Sequence, residues 1–172
     1  MLKFLMRKLI IIFIFLTNIY GMEPILAILH SIDSNEIQEF NIGNYNFYCQ
    51  PYGVVAVESL HRRSSSNSRC QKSINEFYKK KTNLKYFTNN ILYLKQRYHI
   101  SFKDAKCILY AKGDVSLSEL LLKQGLAVLK PLFKDEEFIY RFKISQQQAR
   151  INKNGIWGTN IRKECISELL KR

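Results

Sequence analysis

The residue types best suited to phosphate chemistry crowd into one short stretch. Glu58 is followed by His61, Arg62 and Arg63, then by a serine-rich loop that ends at Arg69. Guanidinium groups match phosphate oxygens in a rigid fork, and a carboxylate can order or deprotonate a water. Glu58 is the only carboxylate between Glu39 and Glu76, so no other acid serves this segment. The same residues also have a plainer reading: a surface carboxylate, solvated loop charges, and in His61 an exposed lone histidine. Lys79, Lys80, Lys81 and Lys85 carry the positive charge onward along the chain. In total 27 Lys and Arg face 14 Asp and Glu, a formal net charge of +13. That sign suits polyphosphate partners or anionic membranes and says nothing about fold.

A chain of 172 residues fits one domain, and 47% apolar against 24% charged residues argues against disorder. Lys3, Arg7 and Lys8 precede an unbroken apolar run over residues 9–16, with Gly21 as a small residue beyond it. The run is shorter than the ~20 residues a membrane span needs, so residues 1–21 read as a signal peptide and the protein as secreted or periplasmic. The domain is then expected over 22–158, with a basic tail over 159–172 that could form a short helix. Export gives meaning to the even set Cys49, Cys70, Cys107 and Cys165. None of these pairs has CxxC spacing, which argues against a zinc knuckle or a thioredoxin-type site. One disulfide among the first three cysteines is expected; the alternative is buried free thiols, a state that suits Cys107.

Three short strands are expected over residues 25–52. The β-rich run 25–32 ends at the turn cluster Asp33-Ser34-Asn35, and Gly43-Asn44 makes a second tight turn. Short turns between successive strands make an antiparallel meander. On the third strand Tyr48 shares a face with Asn46 and Gln50. From Cys70 the period becomes helical, with Ile74, Phe77, Tyr78 and Lys81 on one side. Phe87, Ile91, Leu94 and Tyr98 continue at helical spacing and predict a further helix. Residues 99–102 and 106–111 read as strands. Ser116 stands three residues before Glu119, a capping box that opens a helix ended by Gly125. Asp135-Glu136-Glu137 opens another helix, its inner face marked by Phe138, Phe142, Ser145 and Ala149, and Asn154-Gly155 ends it before Trp157.

The runs Ile108-Leu109-Tyr110-Ala111-Lys112-Gly113 and Ser118-Glu119-Leu120-Leu121-Leu122-Lys123-Gln124-Gly125-Leu126-Ala127-Val128, with the closing Asn154-Gly155-Ile156-Trp157, resemble the thermonuclease (staphylococcal-nuclease-like) family. The likeness covers about the last third of the chain well, and the earlier part in layout only. It implies an α+β fold: an OB-fold-like five-stranded antiparallel barrel packed by about three helices, one face of which binds nucleic acid. It also implies phosphodiester hydrolysis with a divalent metal, calcium in that family, held by aspartates beside a glutamate and two arginines. Position by position, the first metal aspartate falls on Asn35, with Asp33 two residues earlier, and the strand-borne arginine falls on Tyr48. Gly53-Val54-Val55-Ala56 replaces the acidic segment, and the second arginine falls among Lys103, Asp104 and Lys106.

The resemblance therefore assigns substitutes. Glu58 becomes base and metal ligand, Asp33 a second metal ligand, and Arg62 or Arg63 the phosphate-binding arginine. Tyr48, Tyr52, His61, Arg69, Lys103 and Lys106 are the expected nucleic-acid contacts. A Cys49–Cys70 disulfide is expected because the third strand ends near the first helix in that layout, with Cys70–Cys107 as the alternative. Two functions remain in view: a nuclease acting on DNA or RNA with an atypical site, for which Glu58→Gln should abolish cleavage but spare binding, and a non-catalytic nucleic-acid- or polyanion-binding module of the same fold. Either would work as a monomer without a small-molecule cofactor.

Overall fold

Alternating inward and outward residues build the amino-terminal half, and the computed structural model describes residues 23–64 and 67–166. The expected signal peptide over 1–21 and the end of the tail, 167–172, lie outside the described residues. Strand β1 (Ile25–Ile32) turns Ala27 and Leu29 inward; β2 (Gln38–Ile42) turns Gln38 and Phe40 inward; β3 (Tyr45–Cys49) does the same with Cys49. All are antiparallel neighbours, as the meander requires. β5 (Arg97–Lys103) pairs with β1, and β6 (Lys106–Lys112) pairs with β5. β7 (Val115–Ser116) adds to β6, so the sheet runs β3-β2-β1-β5-β6-β7. Between these, β4 (Val54–Ala56) pairs with β8 (Ala127–Leu129) in a separate two-stranded ladder.

The fold is α+β with antiparallel strands, as expected, but its main sheet has six strands and does not close into a five-stranded barrel. Its two sides meet at a single place. Cys107 N–H donates to Gln50 O and Tyr52 N–H donates to Cys107 O, both at 2.9 Å. Cys49 and Cys107 are disulfide-bonded there. This corrects the expected Cys49–Cys70 pairing. Cys49 and Cys107 face each other across the sheet ends, whereas Cys70, buried near the start of α1 (Asn67–Lys80), is bonded to Cys165 in the turn Arg162–Ile166. The alternative Cys70–Cys107 pairing is absent for the same reason.

The helix expected to run through Tyr98 is shorter. It is replaced by α2 (Thr82–Lys85) and α3 (Phe87–Ile91), after which the chain becomes extended at Leu92 and left-handed at Lys95. Leu92 is buried and Tyr98 belongs to β5, so tertiary packing overrides the helical spacing. The remaining helices follow their local signals. α4 (Leu117–Lys123) has the capping box: Ser116 Oγ accepts from Glu119 N–H, and the Glu119 carboxylate accepts from Ser116 N–H. α5 (Glu136–Ile151) is capped by Asp135, whose carboxylate accepts from Glu137 N–H. Phe138, Phe142 and Ala149 are buried, and Trp157 is 8% exposed in the short helical turn Gly155–Gly158. Rings of this size dominate the core because each removes so much apolar area from water.

Candidate functional site

Four connections meet over the place where the sheet ends come together. Residues 50–53 cross from β3 to β4. The 3-10 helix Val57–Arg63 follows β4, its first amide donating to Leu126 O. The tight β5–β6 turn has Asp104 and Ala105 both left-handed, and Lys130 leaves β8 with its N–H on Gly53 O at 2.9 Å. Between them lies a cleft of about 350 Å³ whose polar lining is Glu36, Gln50, Ser59, Arg62, Asp104, Lys106 and Lys130. Gly53 has to be glycine: its φ is +72°, and a Cβ would lie 2.7 Å from the Phe133 ring.

Among the described residues the charges in this cleft are three cations and two carboxylates. Lys106 Nζ donates to Gln50, and the Ser59 hydroxyl donates to Glu36. Arg62 and Lys130 are exposed, and neither forms an ion pair among the described residues. A larger cleft of about 570 Å³ lies beside it, over the start of α5. There Asp104, Asp135, Glu136 and Glu137 outnumber Lys103, Lys130 and Lys134, which disfavours an anionic ligand.

Of the residues expected from the sequence, Tyr52, Arg62 and Lys106 line the smaller cleft. Glu58 does not line it. Its side chain turns into the protein, where Asn35 Nδ2 donates to Oε1 at 3.0 Å, and burial pushes its pKa up. As a general base for the cleft it is therefore misplaced. His61 Nδ1 lies 2.8 Å from Glu58 O, which places the ring proton on that nitrogen and ties the imidazole to the backbone. Arg69 is exposed on α1, while the side chain of Arg63 lies outside what the structure describes.

Tyr48 is 66% exposed on β3, open to a stacking base. Tyr52 is largely buried at the cleft wall, and its hydroxyl donates to Asp135 Oδ2 at 2.7 Å, which leaves little of the ring face open to a base. Lys103 sits 2.6 Å from the same Asp135 oxygen and spends its charge there. Burial disfavours charge on Asp135, but the Lys103 ammonium and the Tyr52 hydroxyl outweigh it and hold the carboxyl below its ordinary value. Burial and Asp135 together raise the Tyr52 pKa.

No family model matches the chain, and no curated protein matches it.

The two residues expected to hold a calcium ion, Asp33 and Glu58, face different surroundings. Asp33 is exposed and takes a hydrogen bond from Ser31 Oγ, while Glu58 faces an amide in the interior. Among the described residues no cluster of three His, Cys, Asp or Glu side chains could hold a metal. Asn35 is asparagine for a structural reason. Its Oδ1 accepts from the Thr88 N–H and hydroxyl, and its Nδ2 donates to the carbonyls of Leu84 and Lys85 as well as to Glu58. An aspartate there would set a carboxylate against two carbonyls and another carboxylate. The site residues that the sequence did not single out are Glu36, Gln50, Ser59 and Lys130. They sit in separate connections with no common spacing.

Proposed function

We propose that this domain binds nucleic acid through its phosphates, with the cleft around Arg62, Lys106 and Lys130 as the site where the backbone is gripped. The observation that carries the reading is the convergence of those three cations on a cleft with room for a phosphodiester, two of them without an acidic partner among the described residues. Exposed Lys72, Lys79 and Lys80 on α1 and the net charge of +13 supply the longer-range attraction. The binding-module function takes precedence over the nuclease because neither Glu58 nor Asp33 lines the cleft. A divergent thermonuclease-like relationship remains part of this proposal on the resemblance of the carboxyl-half runs alone, and the two disulfides accord with export to an oxidising compartment.

The test is a salt series of anisotropy titrations with a labelled oligothymidylate. Three neutralised phosphates give a log–log slope of about −2 on a single strand, and more if the α1 lysines join. Arg62→Ala and Lys130→Ala should each weaken binding and flatten the slope. A salt-independent affinity, or unchanged binding by both variants, overturns the reading. A second reading, phosphodiester hydrolysis, is favoured by one observation: Glu36 and Asp104 share the cleft with Arg62, so a carboxylate could order water beside a bound phosphate. Plasmid nicking in calcium, magnesium or manganese, with a chelator control, separates the two.

A further inference from the structure

The 3-10 helix Val57–Arg63 brings Arg62 to the cleft, and it is anchored both at the cleft wall, through Ser59 and Glu36, and behind it, through Glu58. Two adjacent side-chain bonds pin it to the β1–β2 turn: Asn35 Nδ2 to Glu58 Oε1, and the Ser59 hydroxyl to Glu36. Asn35 is itself held by α2 and α3, through the carbonyls of Leu84 and Lys85 and the amide and hydroxyl of Thr88.

Among the described residues no cation faces the Glu58 carboxyl. Burial raises its pKa against the Asn35 amide of the β1–β2 turn, which donates to it and favours its charge, while Glu36 of the same turn has the same charge sign. From α1 the carboxyl faces the hydroxyl of Tyr78. On its own segment, His61 is turned to the backbone carbonyl of Glu58 and away from the side chain. From α2 and α3 come only the neutral carbonyls and threonine that hold Asn35. Glu58 Oε2 and the Tyr78 hydroxyl are buried beside each other, and neither has a hydrogen-bond partner other than the other. An ionised carboxylate in such a place is costly unless paired. A protonated one is a donor, and it can share a hydrogen bond with Tyr78.

We propose that Glu58 is a positioning residue that works as a neutral acid: its proton, shared with Tyr78, keeps the 3-10 helix seated and Arg62 aimed into the cleft. This rests on the phosphate-binding reading above and adds to it a pH dependence set outside the cleft. The sign follows from the direction of the shift. Burial raises the Glu58 pKa above its ordinary 4.5. The stability it contributes is full below 4.5 and is lost as pH rises through the raised value, because the folded state resists ionising.

The experiment compares the full chain with Glu58→Gln, Glu58→Ala and Arg62→Ala. Affinity for the labelled oligothymidylate and the urea midpoint are both followed from pH 4 to 9. Wild type should lose affinity and stability as pH rises, beyond any trend shown by Glu58→Gln. Glu58→Gln, neutral throughout, should match the low-pH wild type and hold that level. Glu58→Ala should bind about tenfold more weakly at every pH, a loss of about 1.4 kcal/mol. If Glu58→Ala does not fold, the Gln variant and a carbon-13 NMR titration of the Glu58 carboxyl carry the test. A carboxyl that titrates at or below its ordinary value, or a Gln variant with the same pH profile as wild type, overturns the proposal. If the stability profiles behave as expected while Arg62→Ala binds like wild type, the cleft reading fails and the neutral acid survives.

Discussion

Gly155→Ala should be far more damaging than an alanine at Gly113, although both glycines are left-handed. Gly113 has φ +56° and open space around it, so alanine there adds only backbone strain, about 1–2 kcal/mol. Gly155 has φ +53°, but a Cβ would lie 2.3 Å from Gly125 O and 2.5 Å from Gln124 O. Those are backbone atoms, and they cannot swing aside as a side chain would. Gly125 O also accepts from Ile156 N–H at 3.1 Å, so separating the two segments breaks the bond that joins the end of α4 to the turn seating Trp157. Strain, the lost bond and forced repacking together put the cost at about 4 kcal/mol. Gly125→Ala should behave similarly, since its Cβ would sit 2.3 Å from Asn154 O. Urea unfolding with the slope held common measures this directly. Trp157, the chain's only tryptophan, reports the region by fluorescence. For a domain of this size each kcal/mol moves Tm by about 2–4 °C, so Gly155→Ala should melt about 10 °C lower. A Gly155→Ala variant as stable as Gly113→Ala would show that the close approach of Gly125 and Gly155 is not real.

The other expected outcomes are measurable on the same protein. Non-reducing peptide mapping should recover Cys49–Cys107 and Cys70–Cys165; removing either bridge by paired alanines should cost about 4 kcal/mol for the 58-residue separation and about 5 for the 95-residue one, as upper values from loop entropy. Asp135, held below 3.8 by Lys103 and Tyr52 against the cost of burial, contributes stability that is present above 3.8 and lost as pH falls through the lowered value. Asp135→Asn keeps the helix cap and removes the charge, so its Tm should fall less than wild type between pH 4 and 2; parallel profiles would refute the linkage. Arg62→Ala should reduce the salt slope of oligonucleotide binding by about 0.7, one phosphate on a single strand.

What was legible in the chain was local. Ser116 and Glu119 close a capping box within one turn, and Asp135 accepts from an amide two residues away, so neither helix start needs the rest of the protein. The strand Val54–Ala56 had no such signal. Its partner lies more than seventy residues on, and both are only three residues long. The cysteine pairing was not legible for a related reason. Four cysteines allow three pairings, and their spacing does not show which sheet end meets which. Glu58 shows the same limit within one residue. The sequence shows that it is the sole acid of its segment, which makes it the natural candidate for chemistry. It does not show which way the 3-10 helix turns it. That direction is set by Asn35, whose amide is committed to four partners from three elements. The same turn that takes Glu58 inward leaves Arg62, four residues later, at the cleft with Lys106 and Lys130. A half-buried acid and an exposed cation on one short helix are therefore parts of one arrangement. On the proposed reading, the arginine meets phosphate where the carboxyl lets the helix sit.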